Sequence, residues 1–200
     1  NLLKDNPSWD IKKIINTTGI NNRYISDENE DIISLSIKSA KKVLKKFPKN
    51  KIDFLIFVTQ TSDYKLPSVS CIMQNLLGLK TNIKAFDINM GCSGFIYALY
   101  LANNIIKNGE GQNGLIICSD VYTKFIKKNN RSCRPIFSDA SSSVIISKTN
   151  KGSIRNFIFG TDGSGSQDLV LKSQSNDIFM NGSRVALFSI KRVPQSIKDL

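Results

Sequence analysis

The sequence predicts an α/β fold, layered on a mostly parallel sheet. Continuous apolar runs of strand length, such as Phe54-Leu55-Ile56-Phe57-Val58, read as strands buried on both faces. Between such runs apolar residues recur at helical spacing, and Gly, Pro and Asn mark where one pattern gives way to the other. Buried strands alternating with helices close into a parallel sheet with helices laid on its faces.

The first helix is expected within residues 28–47, where Ile33, Ile37, Ala40, Leu44 and Phe47 line one face and Pro48 ends it. Residues 53–59 form the first strand. Val69, Ile72, Met73, Leu76 and Leu77 then place a helix over 68–77, closed by Gly78. A strand at 83–88 runs through Asn89-Met90-Gly91-Cys92 into a helix opening Ser93-Gly94-Phe95 and stopping at Asn108-Gly109. That helix reads as apolar all round and therefore buried. Asn103, Asn104 and Lys107 interrupt it too early for a bilayer span, which needs about 20 apolar residues. Next come a strand at 114–119, a loop at 121–135 and a strand at 143–147. Beyond Lys148-Thr149-Asn150-Lys151-Gly152 the expectation is a strand at 154–160, a Gly/Ser turn at 162–166, a strand near 168–171 and a helix from about Gly182.

Cys92 is the candidate nucleophile. A thiol at a helix start meets free backbone N–H groups and the positive end of the helix dipole, both of which favour a thiolate. Gly91 and Gly94 beside it permit a sharp turn and close approach of a ligand. The competing reading is a small core thiol, the usual place of a free cysteine.

Composition excludes several classes. With 200 residues, 40% of them hydrophobic, the chain can bury a real core. No stretch reads as a signal peptide or membrane span. The four cysteines, at 71, 92, 118 and 133, form no C-x-x-C pair, which suits a reducing cytoplasm, and no cluster has metal-ligand spacing. The net charge of +12 raises nucleic acid as a partner, but no nucleic-acid module accompanies it. Lys41, Lys42, Lys45, Lys46 and Lys49 read as a solvated helix face. Lys124, Lys127, Lys128, Arg131 and Arg134 lie in an acid-free loop that would attract a phosphate-bearing thioester carrier.

The segment Phe86-Asp87-Ile88-Asn89-Met90-Gly91-Cys92-Ser93-Gly94-Phe95-Ile96-Tyr97-Ala98-Leu99 resembles the nucleophile region of the β-ketoacyl-acyl-carrier-protein synthase III family. Further elements match in order: Thr18-Gly19-Ile20-Asn21-Asn22-Arg23; Leu66-Pro67-Ser68 with Gln74-Asn75-Leu76-Leu77-Gly78-Leu79; Ser119-Asp120-Val121; Arg131 with Phe137-Ser138-Asp139-Ala140; Thr161-Asp162-Gly163-Ser164; and Met180-Asn181-Gly182. The resemblance implies a thiolase-like α-β-α-β-α fold, with residues 1–150 giving most of the N-terminal half and 151–200 opening the C-terminal half. On this resemblance Cys92 takes an acyl group from an acyl thioester and condenses it decarboxylatively with malonyl-acyl-carrier protein, in fatty-acid or specialised lipid or polyketide synthesis. The alternatives are acyl transfer to an alcohol or amine, and a non-catalytic dimer partner or carrier-binding subunit.

The implied substrates are coenzyme A or carrier-protein thioesters, with no resident cofactor, and the implied assembly is a homodimer. By resemblance Arg131 contacts the coenzyme A nucleotide, Thr18 lines the pantetheine entrance, and Gly182 matches a substrate-site element. Trp9 stands for the tryptophan that stacks on adenine, with plain packing as its alternative. By resemblance Leu66 stands where a phenylalanine often reaches across the dimer interface to limit the partner's acyl pocket, and Ala186 replaces another common phenylalanine, which implies a primer longer or bulkier than acetyl. Phe137-Ser138-Asp139-Ala140-Ser141-Ser142-Ser143 replaces a glycine-rich turn with serines. The family works with a Cys-His-Asn set, and this chain has no histidine. On the resemblance it is therefore a divergent member, a fragment lacking the first strand and much of the C-terminal half, expected not to condense alone.

Overall fold

The computed structural model describes residues 2–152, 154–172 and 175–200. In chain order the elements are α1 (Leu2–Asp5), α2 (Ile11–Thr18), α3 (Ile32–Leu44), β1 (Phe54–Val58), α4 (Val69–Leu76), β2 (Lys84–Ile88), α5 (Gly94–Lys107), β3 (Asn113–Val121), β4 (Asp139–Ser147), β5 (Leu169–Val170), β6 (Phe179–Met180) and α6 (Gly182–Asp199). By contact they form two compact units. One comprises residues 26–121 with 140–154; the other comprises the residues up to Ile25, 122–139 and those from Arg155 onward. This is a different partition from the expected halves meeting near residue 150, because fold halves are defined by pseudo-equivalence and not by contact.

The first unit holds a sheet of order β2-β1-β3-β4. β1 runs parallel to both neighbours, with Val58 opposite Ile88 on one side and Cys118 on the other. Successive side chains point to opposite faces of a strand, and this alternation explains why β1 is buried throughout. Leu55 and Phe57, with Leu115, Ile117 and Val121 of β3, face Ile32 and Ala40 of α3 and Val69 and Met73 of α4. Phe54, Ile56 and Val58, with Ile116, face Ala98 and Ala102 of α5. The unit is thus a helix–sheet–helix sandwich in which each fully buried side chain contributes roughly 1.5–3 kcal/mol.

α3 begins where Asp31 accepts from the Ser34 N–H at 2.7 Å while Ser34 Oγ accepts from the Asp31 N–H at 2.9 Å. This reciprocal cap places the start at Ile32, so residues 28–31 lie outside the helix expected over 28–47. Where α3 meets β4 the contact includes hydroxyls: Ser39 Oγ lies 2.9 Å from Ser141 Oγ and 2.7 Å from Ser143 Oγ. The serines that replaced glycines in the sequence reading form this seam.

In the second unit Ile126, Cys133 and Ile178 form a small core with Tyr122, Phe125, Phe137, Leu171 and Met180 packed around it. β5 and β6 pair antiparallel. Residues 154–160, expected as a strand, carry no strand assignment. Ile154, Ile158 and Phe159 are exposed, so the apolar pattern of this stretch does not mark a strand buried in a sheet. α2 was not anticipated, although Asp10 caps it by accepting from the Lys13 N–H at 3.0 Å and Gly19 closes it at φ 70°.

Candidate active site

The parallel strands of the first unit deliver two loops to the same edge. β1 ends at Val58 and β2 at Ile88, which are register partners, and the Thr59 N–H donates to the Ile88 carbonyl at 3.2 Å. The carboxyl ends of parallel strands are where α/β folds place ligands. From β2 the chain passes through a turn in which the Gly94 N–H donates to Gly91 O at 2.8 Å, then enters α5.

Cys92 lies in this turn, just before the N-cap Ser93, and not on the helix's first turn as the sequence suggested. Ser93 makes no side-chain cap hydrogen bond. Gly94 is needed for packing: a Cβ there would lie 2.4 Å from Val58 Cγ1 and 3.1 Å from Met90 Cβ. The helix start is therefore seated directly on the end of β1, which fixes the height of the Cys92 turn above the sheet.

The cysteines divide by environment. Cys92 and Cys71 are exposed, Cys118 is half-buried and Cys133 is buried. Burial, with a smaller effect from Asp120, pushes the Cys118 thiol up to about 11; burial, with Asp177 nearby, does the same for Cys133. The core-thiol reading thus fits Cys118 and Cys133, whereas Cys92 opens to solvent. α5 is likewise not buried all round. Ala98 and Ala102 face the sheet, while Phe95, Ile96 and Tyr100 are exposed.

Leu66 belongs to the same unit and stands 82% exposed in the segment joining β1 to α4. Two carboxylates that sequence reasoning did not single out hold that segment. Asp87 of β2 accepts from the N–H groups of Val69 at 2.6 Å and Ser70 at 2.8 Å, capping α4 from a neighbouring strand. Asp120 of β3 accepts through one oxygen from Thr59 Oγ1 at 3.1 Å, the Gln60 N–H at 2.8 Å and Thr61 Oγ1 at 2.9 Å. Both sit inside quoted motifs, but the sequence contains no sign of what they would accept from.

Thr18, Arg131, Gly182 and Trp9 belong to the second unit. Thr18 ends α2, its hydroxyl donating to Ile14 O at 2.8 Å and accepting from the Ile20 N–H at 3.2 Å. Arg23 Nη1 donates to Phe137 O at 2.8 Å, tying this element to the segment after the basic loop. Arg131 is exposed. Its neighbour Asn130 donates to Asp177 Oδ1 at 2.7 Å and Ile178 O at 2.8 Å, which fastens the basic loop to the segment leading through β6 to Gly182. Trp9 is only 9% exposed, and burial to that degree argues for packing over an open stacking face. Among the described residues no group of three or more His, Cys, Asp and Glu side chains could hold a metal ion. Nor is any described helix long and apolar enough to cross a membrane.

A profile for 3-oxoacyl-[acyl-carrier-protein] synthase III matches residues 86–163, the stretch that contains Cys92, α5, β3 and β4. A crystal structure of a 3-oxoacyl-(acyl-carrier-protein) synthase III superposes with TM-score 0.92 at 31% identity, covering 100% of this chain and 67% of that one. The chain belongs to the 3-oxoacyl-acyl-carrier-protein synthase III family. Its fold is accordingly thiolase-like. Relatives within the family include a β-ketoacyl-[acyl-carrier-protein] synthase III of Clostridium perfringens, 34% identical over 92% of this chain and 61% of the relative. Another, from Rickettsia akari, is 32% identical over 99% of this chain and 64% of the relative. The chain therefore spans about three fifths of the length of these synthase III relatives.

Proposed function

We propose that Cys92 is the acyl-carrying nucleophile of a condensing enzyme. In the first step its thiolate attacks the carbonyl of an acyl thioester, forming a new C–S bond as the donor thiol leaves and takes up a proton. In the second, malonyl-acyl-carrier protein loses CO₂. The electron pair of the broken C–C bond attacks the acyl carbonyl, the Cys92 thiolate departs, and a 3-oxoacyl thioester remains. A backbone N–H of the Cys92 turn is the proposed donor to the developing oxyanion. The observation that supports this reading best is an exposed thiol at the carboxyl edge of a parallel sheet, in the turn just before an N-cap, Ser93, that makes no side-chain cap hydrogen bond.

On the same reading the donors are acyl-coenzyme A and acyl-carrier protein. Arg131 faces the nucleotide phosphates, and Thr18 and Gly182 border the pantetheine path. Two copies associate, as the exposed Phe95, Ile96 and Tyr100 of α5 and the edge position of β2 favour. The smaller side chains at Leu66 and Ala186 leave room for primers longer or bulkier than acetyl.

Intact-protein mass spectrometry after incubation with acyl-coenzyme A tests the first step. The expected result is one acyl adduct, absent in Cys92→Ser; an adduct that persists in Cys92→Ser, or none with any chain length, rejects the reading. This chain, which has no histidine, is expected to acylate without releasing CO₂ from malonyl-carrier protein. A strong preference for acetyl over medium or branched acyl groups would reject the pocket assignment.

A further inference from the structure

The structure points to Asp120 and Asp87 as positioning residues that hold the segment 59–70 by its two ends, so that Leu66 is presented at a fixed place on the carboxyl edge of the sheet. This rests on the reading of Cys92 and Leu66 given above and adds to it the groups that set the pocket wall. The segment leaves β1 beside the root of the Cys92 turn, since Val58 pairs with Ile88. At its near end, Asp120 gathers Thr59, Gln60 and Thr61 onto one carboxylate oxygen. Thr61 is itself fixed, its hydroxyl accepting from the Val121 N–H at 2.9 Å. At its far end, Asp87 takes the first two N–H groups of α4. Between the two anchors, Tyr64 and Leu66 stand exposed.

An apolar tip on a span fixed at both roots has few ways to move. A pocket wall must have that property to discriminate chain length, because one methylene is worth only about 10- to 200-fold even in a well-formed site. Burial pushes the Asp120 carboxyl above its ordinary value, while the donors from Gln60, Thr61 and Thr59 oppose that shift. Neither carboxylate has a described hydrogen bond to Cys92, so both act on the loop and not on the thiol.

The test compares the wild-type chain with Asp120→Ala, Asp120→Asn and Asp87→Asn. Asparagine keeps an acceptor oxygen for the three donors of Asp120; alanine removes it. Asp120→Ala is expected to speed amide exchange across 59–62 about tenfold. It should also shift the ratio of Cys92 acylation by octanoyl- and acetyl-coenzyme A about tenfold. Alkylation of Cys92 by iodoacetamide should stay unchanged, and Asp120→Asn should restore wild-type values. Asp87→Asn should speed exchange at Val69 and Ser70. An unchanged exchange rate and chain-length ratio in Asp120→Ala would overturn the assignment, as would an alkylation rate that moves in step with acylation. If no acyl adduct forms even in the wild type, the reading of Cys92 fails, and amide exchange alone decides the role of the carboxylates. Should Asp120→Ala not fold, the Thr59→Val/Thr61→Val pair removes the same side-chain donors and takes its place under the same criteria.

Discussion

Cys92 and Cys118 are separated by one helix, yet they meet opposite surroundings. Cys118 sits on β3 among apolar neighbours and is pushed up to about 11, as is Cys133. At about pH 8 iodoacetamide should therefore modify Cys71 and Cys92 in the folded chain, leaving Cys118 and Cys133 until denaturant is added. Peptide mapping of the labelled protein reads this directly, and early labelling at Cys118 would contradict the described burial. Gly94 is the other decisive residue. Gly94→Ala should destabilise the chain by about 1–3 kcal/mol, since its methyl group would overlap Val58. Val58→Ala should relieve part of that cost, so that urea melts of the single and double variants give a favourable coupling.

Among elements, β1 is fastened to its neighbours at its start by a single carboxylate. Asp53 accepts from the Gln112 N–H at 2.8 Å, the Asn113 N–H at 3.0 Å and Lys80 Nζ at 3.2 Å. Burial raises its pKa, but these three donors outweigh that effect and hold it below its ordinary value of 3.8. A lowered carboxylate stabilises the fold above the unfolded-state value, and that contribution is lost as pH falls through the folded-state value. Urea midpoints measured from about pH 6 down to about pH 3 should thus fall less steeply in Asp53→Asn than in the wild type.

Gly114 shows the same economy of space in the sheet. Its register partner is Phe54, and a Cβ at Gly114 would lie 2.0 Å from that ring. Gly114→Ala should cost more than Gly94→Ala in the same melts, because an aromatic ring within a close-packed core yields less readily than a valine at a strand end.

The strands and helices of the first unit were legible because their apolar periodicity reflects burial on one or two faces. α2 carried a readable signal too, in Asp10 followed by Ile11, Ile14 and Ile15 at helical spacing. Residues 154–160 had an apolar pattern, but such a pattern reports a strand only where its side chains are buried, and Ile154, Ile158 and Phe159 are exposed. Cys92 was singled out by its place between a strand and a helix beside Gly91 and Gly94, the motif then favoured it as nucleophile over core thiol, and the turn it occupies depends on how Gly94 seats on Val58. Asp87 and Asp120 were hidden for a simpler reason: their donors lie 17 to 61 residues away in sequence.

For the whole molecule, the exposed side chains of α5 give the proposed association a direct test. Sedimentation velocity at micromolar concentration should show a dimer, and Ile96→Glu, which places a charge among Phe95, Ile96 and Tyr100, should sediment as a monomer with unchanged circular dichroism. A monomeric wild type would remove that assembly. The second unit has its own exposed apolar residues on α6, including Leu187, Phe188, Ile190 and Val193. A monomeric Ile96→Glu variant would assign the contact to α5 over α6.

β1 is hydrogen-bonded on both edges and packed against a different core on each face. Its amides consequently have no local route to solvent: neither core can open on its own and expose them. In native-state hydrogen exchange, the β1 amides should report the free energy of unfolding of the entire sheet unit, while the loops rooted at its far end exchange through small fluctuations. Substitutions in those loops that leave global stability unchanged should therefore leave the protection of β1 unchanged too, whereas Gly94→Ala should lower it by the same free energy that it removes from the urea melt.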